Sequence, residues 1–296
     1  MQISMKFSES SPNNAGKDLT IPRNLTESAA FKKLESLIGL EEVKKTLAEL
    51  TAFSLVQKKR EAQNLKTGPI VMHMVFKGNP GTGKTTVARL LSQVLHELDI
   101  LSKGHLLEVE RADLVGEYIG HTAQKTREMI KQSLGGIMFV DEAYTLSQGG
   151  EKDFGREAIA TIVKGMEDQR NNLLVILAGY SSEMNRFIAS NPGLKSRFPI
   201  HIEFPDYNEE ELFRIALQMY EERDYQLSNR CRWKLKQQLA EFARSRHPYS
   251  GNARYVRNLV EKSIRWQALR IVDKENYTRK DLILIEDMDL PGMDQV

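Results

Sequence analysis

Cysteine is almost missing from this chain: Cys231 is the only one in 296 residues. No intrachain disulfide can form and no thiolate cluster can hold zinc, so a reducing, cytoplasmic compartment fits best. An excess of one charge is missing as well. Lys and Arg number 42 against 40 Asp and Glu, a net charge of +2, too small to imply nucleic acid or an anionic membrane on its own. The six histidines are scattered without metal-ligand spacing. No apolar run approaches the ~18 residues of a membrane-spanning helix. Met1 to Thr20 is rich in Ser and Asn and has no apolar centre, so it does not read as a secretory signal. What remains is a globular composition, 41% apolar and 28% charged, with enough Leu, Ile, Val and Phe for a sizeable core.

The pattern along the chain divides it into three parts. Residues 1–25 read as a polar arm. Residues 26–205 alternate helices and strands. Val43, Leu47 and Leu50 recur at helical spacing, and Thr67-Gly68-Pro69 breaks that helix. Strands are expected at Val71 to Phe76, Leu106 to Val109, Ile137 to Val140, Leu173 to Leu177 and Ile200 to Phe204. Helices are expected between them, at Thr85 to Leu98, Thr122 to Ser133, Arg156 to Met166 and Glu183 to Ala189. Ile137-Met138-Phe139-Val140 is apolar without alternation, as in a strand buried on both faces. The expected fold is an α/β core with a parallel five-stranded sheet. Pro205-Asp206-Tyr207 ends the alternation, and residues 206–296 read as a small helical domain with one short β segment near Leu282 to Ile285.

The clearest motif is Gly78-Asn79-Pro80-Gly81-Thr82-Gly83-Lys84-Thr85, followed by Thr86. It matches the phosphate-loop spacing, with an apolar strand before it and a helix after it. The glycines let backbone N–H groups turn in around a phosphate, Lys84 reaches the β- and γ-phosphates, and the Thr85 hydroxyl ligates Mg²⁺. ATP and Mg²⁺ are therefore the expected ligands. Asp141 and Glu142 end the buried strand 56 residues after Thr85. Asp141 stands where such proteins hold Mg²⁺, and Glu142 is the candidate general base for the attacking water.

Three further sites stay open on spacing alone. Tyr180 and Ser181, after the fourth strand, are either an ordinary strand-to-loop turn or a polar group beside the attacking water. Arg197 is either a surface arginine before an edge strand or a finger for a neighbouring subunit's γ-phosphate. Arg254 and Arg257 share one face of a helix opposite Val256, Leu259 and Val260, which suits a solvated arginine face or a lid that reports nucleotide state. Residues 230–270 carry eight Arg, three Lys and two Glu, 8 + 3 − 2 = +9. Such a stretch can bind nucleic acid, but a basic lid more often faces nucleotide and a neighbouring subunit.

Together the glycine-rich loop, the Asp141-Glu142 strand end, Ser196-Arg197-Phe198 and Gly251-Asn252-Ala253-Arg254 resemble the AAA+ ATPases. Phe76 to Leu90, Arg111 to Thr122 and Asp141 to Tyr144 resemble the branch that contains stage V sporulation protein K and the red-type Rubisco activases. Leu101 to Leu106, Gly150 to Gly155 and Val256-Arg257-Asn258 lean to the sporulation side. The resemblance spans about Leu34 to Leu290 and leaves the N-terminal arm uncovered.

That resemblance implies a P-loop core with a C-terminal lid and a homo-oligomeric ring, a hexamer. It implies that Ile38-Gly39-Leu40 lies against the adenine and that Arg197 is the finger reaching the next subunit. Arg254 would be the lid sensor. Tyr118-Ile119-Gly120 would be a first pore loop gripping a client polypeptide, and Gly149 to Asp153 a second. Tyr180 stands where many relatives carry Asn. The leading expectation is an ATP-driven protein remodeller acting in spore formation, with no membrane or nucleic-acid partner. A sugar-bisphosphate-regulated activase, a nucleic-acid-handling ATPase and a non-hydrolysing scaffold are the alternatives.

Overall fold

The computed structural model describes residues 23–68, 71–118, 120–148, 154–170, 172–245 and 251–293. Two short helices, α1 (Arg23–Glu27) and α2 (Ala29–Glu35), and the long α3 (Glu41–Ala62) come first. Then follow β1 (Met74–Gly78), α4 (Lys84–Glu97), β2 (Leu106–Val109), α5 (Arg111–Leu114), α6 (His121–Ser133), β3 (Ile137–Val140) and α7 (Gly155–Asp168). β4 (Leu174–Gly179), α8 (Ser181–Ser190), α9 (Pro192–Arg197) and β5 (Ile200–Phe204) complete the core.

The five strands form one parallel sheet in the order β2-β3-β4-β1-β5. Successive side chains of a strand point to opposite faces, and the buried residues sort that way. Met74, Phe76, Ile137, Phe139 and Ile176 join one apolar cluster with Val87, Leu91 and Leu95 of α4. Val75, Met138, Val140, Val175 and Leu177 join another with Ile159 and Ile162 of α7 and Met184 and Phe187 of α8. Both faces are covered, which is why these strands read as unbroken apolar runs. The helix leaving β1 thus lies on one face and the helix leaving the adjacent β4 on the other. That divergence opens a crevice at the carboxyl ends of the two strands, the usual place for a ligand in such sheets.

The remaining elements are α10 (Glu209–Glu221), β6 (Gln226–Leu227), α11 (Asn229–Arg244), α12 (Ala253–Ile271), α13 (Arg279–Ile283) and β7 (Leu284–Ile285). They are not separated from the sheet by solvent. The α4-side cluster continues through Leu40, Tyr207 and Leu212 to Leu235, Leu259 and Val260. The guanidinium of Arg270 ties α12 to the C-terminal segment through two bonds to Asp289, at 2.8 and 2.9 Å.

Several elements differ from the sequence expectation. β1 begins at Met74 rather than Val71 and runs on to Gly78, because β5 pairs with it as far as Gly78 opposite Phe204. α5 and α9 were not expected. α9 starts at Pro192 under an Asn191 side chain that accepts from the Gly193 N–H at 2.9 Å. The β segment near Leu282 to Ile285 is real but short, and its partner β6 was missed. Most of the expected polar arm, residues 1–22, lies outside the described residues. Among the described residues no helix is long and apolar enough to cross a membrane.

Candidate active site

Gly81 and Gly83 sit at φ +72° and +97°, conformations that glycine adopts without the cost an L side chain meets. Gly83 caps α4 with no side-chain bond, so the first-turn N–H groups of α4 remain available to an anion at the positive end of the helix. The Lys84 ammonium donates to the carbonyls of Gly78 at 2.8 Å and Asn79 at 2.9 Å. Burial lowers its pKa from the usual lysine value. Asp141, Asp206 and Glu142 oppose that shift and Arg254 adds to it, so four charges from distant parts of the chain converge on this one.

β3 delivers the two carboxylates. Val140 is the last strand residue, and the Asp141 N–H still donates to the Val109 carbonyl at 3.0 Å. Glu142 then turns left-handed, at φ 45° and ψ 42°, with its N–H on Asp141 Oδ1 at 3.0 Å. A non-glycine residue held there stores on the order of 1–3 kcal/mol of strain. The turn sends successive carboxylates in different directions, and both reach the cavity. Tyr144 follows, its phenol pushed up to about 12 by burial and by Glu142.

Lys84, Asp141 and Glu142 line one cavity of about 430 Å³, a size that suits a small-molecule site. Gly78, Pro80, Gly81, Gly83, Lys84, Thr85 and Thr86 form its floor, with Asp141 and Glu142 beside them. Gly179 and Tyr180 enter from β4. Of the two water-orienting candidates only Tyr180 faces the cavity, since Ser181 Oγ donates to Glu203 at 2.9 Å. The wall opposite the sheet comes from Leu37, Ile38 and Leu40 and from the lid residues Arg254 and Arg257.

Three loop residues expected at the nucleotide do not line the cavity. Gly39 packs on Glu211 and Tyr207. Thr82 is buried, its Oγ1 donating to the Asn79 carbonyl at 2.8 Å, and the Asn79 amide turns to Asp206. Arg197 is not in the cavity either. It precedes β5, which runs parallel to β1, so roughly 16 Å of strand separates its level from the phosphate loop. There it pairs with Glu167, both side chains about half exposed. Tyr118 is 66% exposed, with its ring 5.4 Å from that of His121, and Gly120 is at φ +85° with open space around it. Ile119 and the expected second pore loop, Gly149 to Asp153, lie outside the described residues.

Sequence reasoning missed Tyr207 and a stripe of α10 and the residue after it. Ile215, Gln218, Met219 and Glu222 line the cavity at i, i+3, i+4 and i+7, a helical face the spacing carried. The Tyr207 hydroxyl donates to the Thr82 carbonyl at 3.1 Å, and burial, with Glu211 nearby, pushes it up to about 12.

Comparison with known proteins agrees with this geometry. The pattern of the ATPase family associated with various cellular activities (AAA) matches residues 74–206, and that of the AAA lid domain residues 208–295. The chain is 56% identical to stage V sporulation protein K of Bacillus subtilis (strain 168) over 88% of its own length and 81% of that protein's. It is 47% identical to the protein CfxQ homolog of Galdieria sulphuraria, covering 86% and 84%, and 46% identical to protein CbbX of Cereibacter sphaeroides, covering 79% and 76%. Among solved structures, the FIGL-1 AAA domain in complex with ADP superposes with a TM-score of 0.58 at 18% identity, over 87% of this chain and 84% of that one. A mutant of Thermotoga maritima RuvB gives 0.56 at 19%, over 86% and 69%. At such identities these two speak for the fold alone. With the phosphate loop, the paired carboxylates and the lid arginines around one cavity, the chain belongs to the AAA ATPases.

Proposed function

We propose that this protein hydrolyses ATP to ADP and phosphate in a ring of identical subunits and uses the cycle to remodel a client polypeptide in spore formation. The observation that carries the reading is the convergence of Lys84, Asp141, Glu142 and Arg254 on one cavity. Sporulation enters from the name of the relative that is 56% identical. The ring is a hexamer by resemblance, and 26–205 and 206–296 are its moving parts, core and lid.

The adenine lies between Leu37-Ile38 and the Ile215–Met219 face, both of which line the cavity. The phosphates run along the N-terminus of α4. The donor set fits Mg²⁺: the Thr85 hydroxyl and the Asp141 carboxylate, both at the cavity, would hold it. When bound, Mg²⁺ neutralises charge on the β- and γ-phosphates. Lys84 holds the same oxygens. Glu142 takes the proton of the attacking water, and Tyr180 orients that water. Charge that develops on the γ-phosphate is met by Arg254 of the same chain and Arg197 of the next. The exposed pair with Glu167 contributes well under about 1 kcal/mol, so it leaves the Arg197 guanidinium free to change partner.

The test is ATPase rate per subunit across a dilution series. A rate that rises with concentration supports sites completed between subunits. A constant nonzero rate would remove the ring from the mechanism. For the polypeptide step, Tyr118→Ala should keep ATPase activity and lose remodelling. Remodelling that survives this substitution would rule out threading by that loop.

A further inference from the structure

Asp206 lies at the junction of core and lid, beside the phosphate loop, and it is not among the groups lining the cavity. Its carboxylate holds two asparagines from opposite sides. The Asn79 Nδ2 donates to both of its oxygens at 3.1 Å, and the Asn252 Nδ2 donates to Oδ1 at 2.7 Å. Asn252 is fully buried. Its Oδ1 accepts the Tyr207 N–H at 3.1 Å, and its Nδ2 also approaches the Pro80 carbonyl at 3.4 Å. The adjacent backbone completes the seam: the Ala253 N–H donates to the Gly81 carbonyl at 3.1 Å. A Cβ on Gly81 would stand 2.1 Å from the Gly251 carbonyl oxygen and 2.8 Å from the Arg254 nitrogen.

Two features argue that this knot does more than hold the fold. Asn252 sits at φ 44° and ψ −125°, a conformation that costs an L residue on the order of 1–3 kcal/mol and that glycine would adopt more easily. The side chain tolerates that strain because its buried bonds to Asp206, Tyr207 and Pro80 offset it. A carboxylate beside a phosphate loop also repels the ligand, so Asp206 helps binding through what it holds and through the charge it preserves on Lys84. What it holds is the turn two residues ahead of Arg254.

We propose that Asp206, with Asn79 and Asn252, sets the register of the lid on the phosphate loop and so positions Arg254 against the terminal phosphate of ATP. These three are positioning residues; Arg254 makes the contact. The inference rests on the ATP-site reading above and adds to it the part that fixes the lid arginine.

The test is a double-mutant cycle on the full chain. Affinities for a non-hydrolysable ATP analogue and for ADP are measured for wild type, Asn252→Gly, Arg254→Ala and the double variant. Glycine removes the side chain while easing the backbone. Asn252→Gly should weaken the ATP analogue about tenfold, as Arg254→Ala does, and leave ADP nearly unchanged. The double variant should bind no more weakly than Arg254→Ala alone, because residues acting through one another are not additive. A merely structural role would weaken both nucleotides and add to the Arg254 effect. That outcome, or an Asn252→Gly protein that binds as wild type does, overturns the proposal. If Asn252→Gly fails to fold by thermal melting, Asn79→Ala opens the same knot from the other side and is held to the same criteria. Wild type that binds no ATP analogue, or Arg254→Ala that binds it normally, overturns the proposal and the site reading together. Normal Asn252→Gly beside a weakened Arg254→Ala overturns the positioning role only.

Discussion

The two ends of β1 are built on opposite terms. At the carboxyl end the chain keeps polar groups turned into a cavity: Lys84, Asp141, Glu142 and Arg254 share about 430 Å³, and Glu142 is held in a strained turn. At the amino end the polar groups are satisfied within the fold. His73 accepts the Val175 N–H at 3.1 Å and stacks obliquely near Phe198, with ring centroids 5.9 Å apart. Burial, with the Arg197 charge nearby, lowers its pKa to about 4. One end turns charged groups into a cavity where a ligand can meet them, and the other is spent on stability. Arg197 is the exception. It stands at the amino-end level in an exposed ion pair with Glu167, where the proposed role would have it reach a neighbouring subunit.

The sharpest way to break this comparison is at Arg197. Arg197→Ala should lower ATP turnover by about 10³-fold or more, the size of a missing arginine finger, with little change in thermal stability. Lys84→Ala should be equally inactive. Mixing the two should restore turnover, because some interfaces then pair an intact phosphate loop with an intact finger. A mixture as dead as its parts would mean that Arg197 does not act across subunits.

Next in size is Glu142→Gln. Loss of a positioned base costs about 10²–10⁴-fold, so turnover should fall by that much while ATP still binds. Since the strain belongs to the backbone, melting should barely move. Turnover equal to wild type would point to a scaffold that binds ATP without using it.

The amino end should respond to acid instead. The unfolded chain takes a proton on His73 below pH 6.5, and the folded chain refuses it until about pH 4. In that window the unfolded state binds more protons, so stability falls as pH falls. The loss is about 1.4 kcal/mol per pH unit and about 3 kcal/mol in all. Denaturant unfolding at pH 7.5, 6 and 5 should show this slope, and His73→Gln should flatten it. An unchanged slope in the variant would move the acid sensitivity elsewhere.

The fold was legible where chemistry and spacing coincide over a few residues. β2, β3 and β5 have the bounds expected from the sequence, and the phosphate loop announces its own strand and helix. α5 and α9, of four and six residues, are too short to show a period, although Asn191-Pro192 is a start signal in its own right. β6 is two residues long and carries no pattern at all. At the site, Lys84, Thr85, Asp141 and Glu142 could be named because local geometry brings them in. Asp206 was seen only as a break in the pattern, and Asn252 only as a spacer before Arg254. Their partners are far along the chain: Asn79 lies 127 residues from Asp206, and Pro80 lies 172 from Asn252. No window of sequence contains both halves of such a contact.

The smallest effect concerns the residue proposed to face the attacking water. Tyr180 caps α8 in an extended conformation, φ −66° and ψ 141°, which keeps it beside Gly179 on the cavity wall. Its ring lies 6.1 Å from that of Tyr144 at 49°. Ser181, the other candidate, gives its hydroxyl to Glu203, on the strand beyond β1. Tyr180→Phe keeps the ring contact and deletes only the hydroxyl. A single net hydrogen bond contributes about 1 kcal/mol, so turnover should fall up to about tenfold with ATP affinity retained. Ser181→Ala should leave turnover where it was. If the serine variant is the slower one, the hydroxyl that matters leaves Glu203 when nucleotide binds, and the carboxyl end of β4 must rearrange during the cycle rather than wait preformed.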